Sequence, residues 1–172
     1  DRVATKAWDR VLLDGNHDED RTDKWIASTC PPQLRDLVPS LWTATRALER
    51  GYRVYKGHEQ PVRVGDLLLL HGHFFSRHHA AAHLAALGEK CLYGHTHTPQ
   101  QFTHNLGGKR IQATGSPCLR TLDREWEHQS KVHTWTNGFT VIEWIDGVIA
   151  HPRNVYIIDG KAVYGGHVWR AK

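Results

Sequence analysis

The chain has 172 residues, 40% of them apolar and 9% aromatic, which suits one globular domain with a real core. Its net charge of +4, with 14 histidines counted neutral, favours anionic substrates only by modest long-range attraction. Lys and Arg are spread rather than clustered, so charge alone does not establish nucleic-acid binding. No apolar run approaches the ~20 residues that span a bilayer, and no signal-peptide pattern is visible, so a soluble, cytoplasmic protein without membrane partners is expected. Cys30, Cys91 and Cys118 form no Cys-x-x-Cys pair and read as free thiols. With no methionine and Asp1 at its head, the chain is expected to be a fragment or processed form whose cut falls inside the fold.

In chain order, residues 2–10 read as the last turns of a helix feeding the short apolar strand Val11-Leu12-Leu13. Residues 19–50 carry a helical period through Trp25, Ile26, Leu34, Leu37, Val38 and Leu41, broken at Pro31-Pro32, and predict two helices ending near Gly51. Residues 52–55 and 61–64 alternate toward a pair of strands about Gly57-His58. Gly65-Asp66 then leads into the strand Leu67-Leu68-Leu69-Leu70. Residues 77–88, rich in Ala, Leu and His, predict a helix capped near Gly88, on which His78, His79 and His83 are expected to be mostly solvated, as is His104 on a hairpin. A strand at Cys91-Leu92-Tyr93 and a hairpin turning at Gly107-Gly108 follow. The tail alternates and turns at Asp146-Gly147 and Asp159-Gly160, where Gly accepts the positive φ of a tight hairpin.

Three of these apolar strands end in ligand-bearing motifs: Gly15-Asn16-His17-Asp18, His71-Gly72-His73 and Gly94-His95-Thr96-His97. Buried strands that deliver side chains from their carboxyl ends are the usual way an α/β fold builds a site. The carboxamide of Asn16 suits a hard or borderline cation, or equally a helix cap. An imidazole beside four leucines is costly unless paired, so His71 is expected to hold a metal or a hydrogen bond. On an extended segment a two-residue step points the same way, which leaves His73 as a ligand or a substrate contact and lets His95 and His97 address one place. The planar fork of Arg120 suits a phosphate or a structural ion pair.

This order of motifs, GNHD, then an apolar strand ending in His-Gly, then GHTH, resembles the calcineurin-like metallophosphoesterases. The stretch Thr114-Gly115-Ser116-Pro117 to Arg120 and the strand-rich tail are most similar to the small members found in phages and mobile elements. The resemblance covers nearly the whole chain and implies an α/β fold, a layered αββα sandwich, here one amino-terminally truncated domain over residues 1–172. It implies a hydrolase of phosphomonoesters or phosphodiesters, using a hydroxide activated by two divalent transition-metal ions (manganese, iron, zinc or nickel) roughly 3.5–4 Å apart. Asn16, His71 and His95 would hold one ion and His97 the other. His17 would face the substrate and assist the leaving group, Asp18 would fix its tautomer, and His73 and Arg120 would contact the phosphoester. The Asp-x-His and Gly-Asp-x-x-Asp motifs that open the family's pattern do not occur upstream of GNHD. That difference carries a second reading, a non-catalytic metal-binding or partner-binding remnant; a third reading is a nuclease acting on phosphodiesters in nucleic acid. Composition and spacing do not specify an oligomeric state.

Overall fold

The computed structural model describes residues 11–13, 15, 24–38, 46–55, 60–120, 134–145, 148–149 and 152–170. The chain divides into two compact units, residues 1–61 and 62–172.

In the first unit β1 (Val11–Leu13) pairs in parallel with β2 (Arg53–Tyr55). Among the described residues between them in sequence lie α1 (Lys24–Thr29) and a 3-10 segment, Pro32–Leu37. Of the two helices expected over residues 19–50, the described residues show a six-residue α-helix and a six-residue 3-10 helix, separated where Pro31-Pro32 removes backbone donors, while residues 19–23 and 39–45 lie outside the described residues. The two strands expected in residues 52–55 and 61–64 are both present, each with a different partner. β2 belongs to β1, and β3 (Val62–Val64) instead folds back on β4 (Leu67–Leu70) through Gly65-Asp66, with Val64 opposite Leu67. Alternation reports which face of a strand is buried and carries no information about its partner.

The second unit is built on a five-stranded sheet, ordered β3, β4, β5 (Cys91–Tyr93), β7 (Lys109–Gly115), β6 (Gln100–Leu106). The three central strands are parallel and the two outer ones antiparallel to their neighbours. Four consecutive leucines make β4 because it is covered on both faces, as a central strand with parallel pairing requires. Helix α2 (His79–Leu87) links β4 to β5 and buries His79, Ala80, His83 and Leu84, an i, i+1, i+4, i+5 stripe. Gly88 ends it in the left-handed conformation (φ +65°) with its N–H on Leu84 O, as expected for that glycine. At the other end, Gln100 accepts the Ala80 N–H at 2.8 Å and donates to Arg77 O at 3.0 Å, satisfying one of the donors that a helix start leaves open. The core under α2 is two rows across the sheet: Leu68, Cys91 and Ala113, then Leu70, Tyr93 and Gly115. Gly115 is required there, since a Cβ would meet the Tyr93 ring and hydroxyl at 3.0–3.1 Å.

A second, wholly antiparallel sheet follows, ordered β13 (His167–Arg170), β12 (Lys161–Tyr164), β11 (Arg153–Ile158), β8 (Gly138–Val141). Its hairpins turn at Asp159-Gly160 and Gly165-Gly166, all four residues with positive φ, and the β6–β7 hairpin turns likewise at Gly107-Gly108. β9 (Trp144–Ile145) and β10 (Val148–Ile149) pair antiparallel, on either side of the expected turn at Asp146-Gly147. The turn residues themselves lie outside the described residues. Polar side chains join the two larger sheets: Asn154 donates to Gly115 O at 2.9 Å, and Thr140 Oγ1 lies 2.7 Å from both Asn154 Oδ1 and Ser116 Oγ. Among the described residues the architecture is mixed α/β, with several sheets and few helices. Among the described residues no helix is long and apolar enough to cross a membrane.

Candidate metal centre

The carboxyl ends of β4, β5 and β7 lie side by side and are laced together just beyond the last paired residues. Gly94 N–H donates to His71 O at 2.9 Å, and Ser116 N–H donates to Tyr93 O at 2.8 Å. This end of a parallel sheet is where α/β folds place their ligands. Here it brings His71 and His95 together, with His71 Nε2 3.1 Å from His95 Nδ1 and the rings edge to face at 5.1 Å. Phe75 stands beside the pair, its ring 6.3 Å from that of His95 and 77% exposed.

The 3.1 Å separation tests the fit to a cation. Two nitrogens about 2.0–2.1 Å from one zinc-like ion stand roughly 3.4 Å apart in a tetrahedral arrangement. The two imidazoles therefore already sit within a few tenths of an ångström of a shared-ligand spacing. Among the described residues no group of three His, Cys, Asp or Glu side chains converges to complete such a site. Asn16, His17 and Asp18, the remaining candidates of the GNHD motif, lie outside the described residues.

The loop after β5 is not the extended segment that the two-residue step assumes. His95 and His97 adopt φ of +62° and +56°, and Thr96 N–H closes on Gly94 O at 2.7 Å. In that left-handed conformation the side-chain alternation of a strand no longer applies, and a non-glycine residue there costs about 1–2 kcal/mol. The rings accordingly have different neighbours: His95 pairs with His71, and His97 stands edge to face with Trp135, ring centres 4.5 Å apart. The guanidinium of Arg120 lies over the same indole, 4.9 Å from its centre. The segment 134–138 is anchored to both residues' loops. Thr136 N–H donates to His97 O, and Asn137 Nδ2 donates to Arg120 O, each at 3.0 Å. Trp135 thus gathers His97 and Arg120 around one aromatic ring, a link with no signal in the sequence.

His79 and His83 correct the expectation of solvated helix positions: His79 is 4% exposed and His83 is fully buried. Tyr93 explains why. Its ring stacks on that of His83 at 3.8 Å, and its hydroxyl lies 2.5 Å from His79 Nδ1. His83 Nδ1 meets His79 O at 2.8 Å, and a carbonyl only accepts, so the proton sits on Nδ1. Nε2 is then an acceptor and takes the His73 amide at 3.1 Å, with the Phe74 amide at 3.5 Å. Burial, reinforced by His73, His79 and His95, pulls the His83 pKa down to about 4, and burial also lowers that of His79. The i, i+4 spacing of His79 and His83, on the stripe that holds Ala80 and Leu84, was the available sign that both face inward.

His73 is exposed, its ring parallel to that of His83 at 6.5 Å, and His78 and His104 are exposed as expected. A cavity of about 580 Å³ borders both larger sheets beside Gln101, Gln112, Asn154 and Tyr156, and none of the candidate residues lines it. Comparison of the chain with protein-family models, with curated proteins and with solved structures found no match.

Proposed function

We propose that this chain carries part of the metal centre of a calcineurin-like metallophosphoesterase, a hydrolase of phosphomonoesters or phosphodiesters. The observation that carries the reading is the His71–His95 pair, two imidazole nitrogens 3.1 Å apart at the carboxyl ends of adjacent parallel strands. In this reading His71 and His95 hold one divalent cation with Asn16, and His97 contributes to a second. His17, oriented by Asp18, protonates the departing alkoxide, while His73 and Arg120 contact the phosphoryl group. A bound transition-metal ion supplies Lewis acidity toward phosphoryl oxygens and a more acidic bound water. The finer architecture that goes with this reading is the αββα sandwich, whose two sheets would be the two larger ones, and the location is the cytoplasm.

Calorimetric titration of the chain with Mn²⁺ or Zn²⁺ tests the centre. The expected result is one weakly held cation, lost in His71→Ala and in His95→Ala, together with slow hydrolysis of an aryl phosphodiester that requires the ion. No cation binding, or binding unchanged in both variants, overturns the centre. Binding without any hydrolysis overturns the enzyme and leaves a metal-binding module.

A further inference from the structure

The metal reading uses His71 and His95 but leaves unexplained why α2 buries two histidines directly beneath them. We propose that His83 is a positioning residue of this centre, a clamp that holds the His71-Gly72-His73 loop so that His71 faces His95. The proposal rests on the metal reading for its function and on hydrogen-bond geometry for its action.

The loop is held at two points with one flexible residue between them. On one side His71 O accepts the Gly94 N–H, which ties the loop to the His95 strand end. On the other, His73 N–H donates to His83 Nε2 at 3.1 Å. Between them Gly72 adopts φ +105°, outside the ordinary range of residues with a Cβ. It is also enclosed, since a Cβ there would come within 3.2–3.3 Å of His83 Nε2, His95 Cβ and the Tyr93 ring. His83 can serve as the fixed point because every part of it is committed: Nδ1 to His79 O, one ring face to Tyr93, and Nε2 to the loop. Tyr93 is the last residue of β5 and precedes the His95 loop, so one buried ring backs both ligand-bearing segments. A protonated His83 would present a donor to the His73 amide and the clamp would open. The depressed pKa keeps Nε2 an acceptor through the neutral range.

Two isosteric substitutions separate the clamp from general packing. Gln places its carbonyl oxygen near the position of Nε2, whereas Asn reaches only the position of Nδ1. In the full chain, His83→Gln should keep Mn²⁺ affinity within about threefold and His83→Asn should lose about tenfold or more, the usual scale for a residue behind a ligand. Amide exchange, read by NMR, should show His73 and Phe74 protected in the wild type and in His83→Gln and exposed in His83→Asn. Equal affinities and equal protection in the two variants overturn the clamp. A wild type that binds no Mn²⁺ refutes the metal reading alone, and the exchange pattern still decides the clamp. If His83→Asn does not fold, the wild type suffices: ¹⁵N shifts at pH 7 should show Nδ1 protonated and Nε2 bare, and a protonated Nε2 overturns the proposal.

Discussion

Acidification should destabilise the second unit through His83. The folded chain holds this ring neutral down to about pH 4, while the unfolded chain takes up the proton near the ordinary value of 6.5. Between those values the unfolded state binds more protons than the folded one, so stability falls as pH falls. Integrated over about 2.5 units at 1.36 kcal/mol each, His83 alone removes roughly 3 kcal/mol between pH 7 and pH 4, against a typical total of about 5–15. His79, whose pKa burial also lowers, acts in the same direction. Because the chain has 14 histidines, the informative quantity is a difference. Urea unfolding of wild type and His83→Gln, in EDTA to remove metal linkage, should give a steeper loss with falling pH for the wild type. Gln has no proton to gain, so the two curves should converge by about 3 kcal/mol toward pH 4. Parallel curves over this range would refute the assignment of His83 as a neutral, hydrogen-bond-accepting core residue.

Two further outcomes follow from the backbone. Gly138→Ala should destabilise the second unit by about 3 kcal/mol or more, because the new Cβ falls inside contact distance of the Val155 carbonyl oxygen on the paired strand and near Pro117; an unchanged urea midpoint would contradict the β8–β11 register. At the loop after β5, His95→Gly should be more stable than His95→Ala by about 1 kcal/mol, since both lose the imidazole and only Gly relieves the positive φ. Equal midpoints for the two variants would mean that the left-handed conformation at His95 is not populated.

Much of this protein was readable from residue order because the signals are local. Four leucines between turn residues specify a doubly covered strand, Gly107-Gly108 and Asp159-Gly160 specify tight hairpins, and Gly88 specifies a helix end, since each depends only on backbone sterics and side-chain shape. The same locality placed His71 and His95 at the ends of apolar strands. Which strands are neighbours is a non-local matter, and alternation in residues 52–55 and 61–64 could not say that one segment pairs with β1 and the other with β4. Nor could spacing show that His95 and His97 leave the strand geometry, because their left-handed φ is held by contacts to Gly94 and to segment 134–138. The fate of His79 and His83 was decided by Tyr93, ten or more residues away, whose ring and hydroxyl make burial of two imidazoles tolerable. The sequence by itself set most of the elements and placed the candidate histidines at strand ends. Tertiary structure chose which of them meet, because a meeting of side chains depends on pairing and packing among segments far apart along the chain.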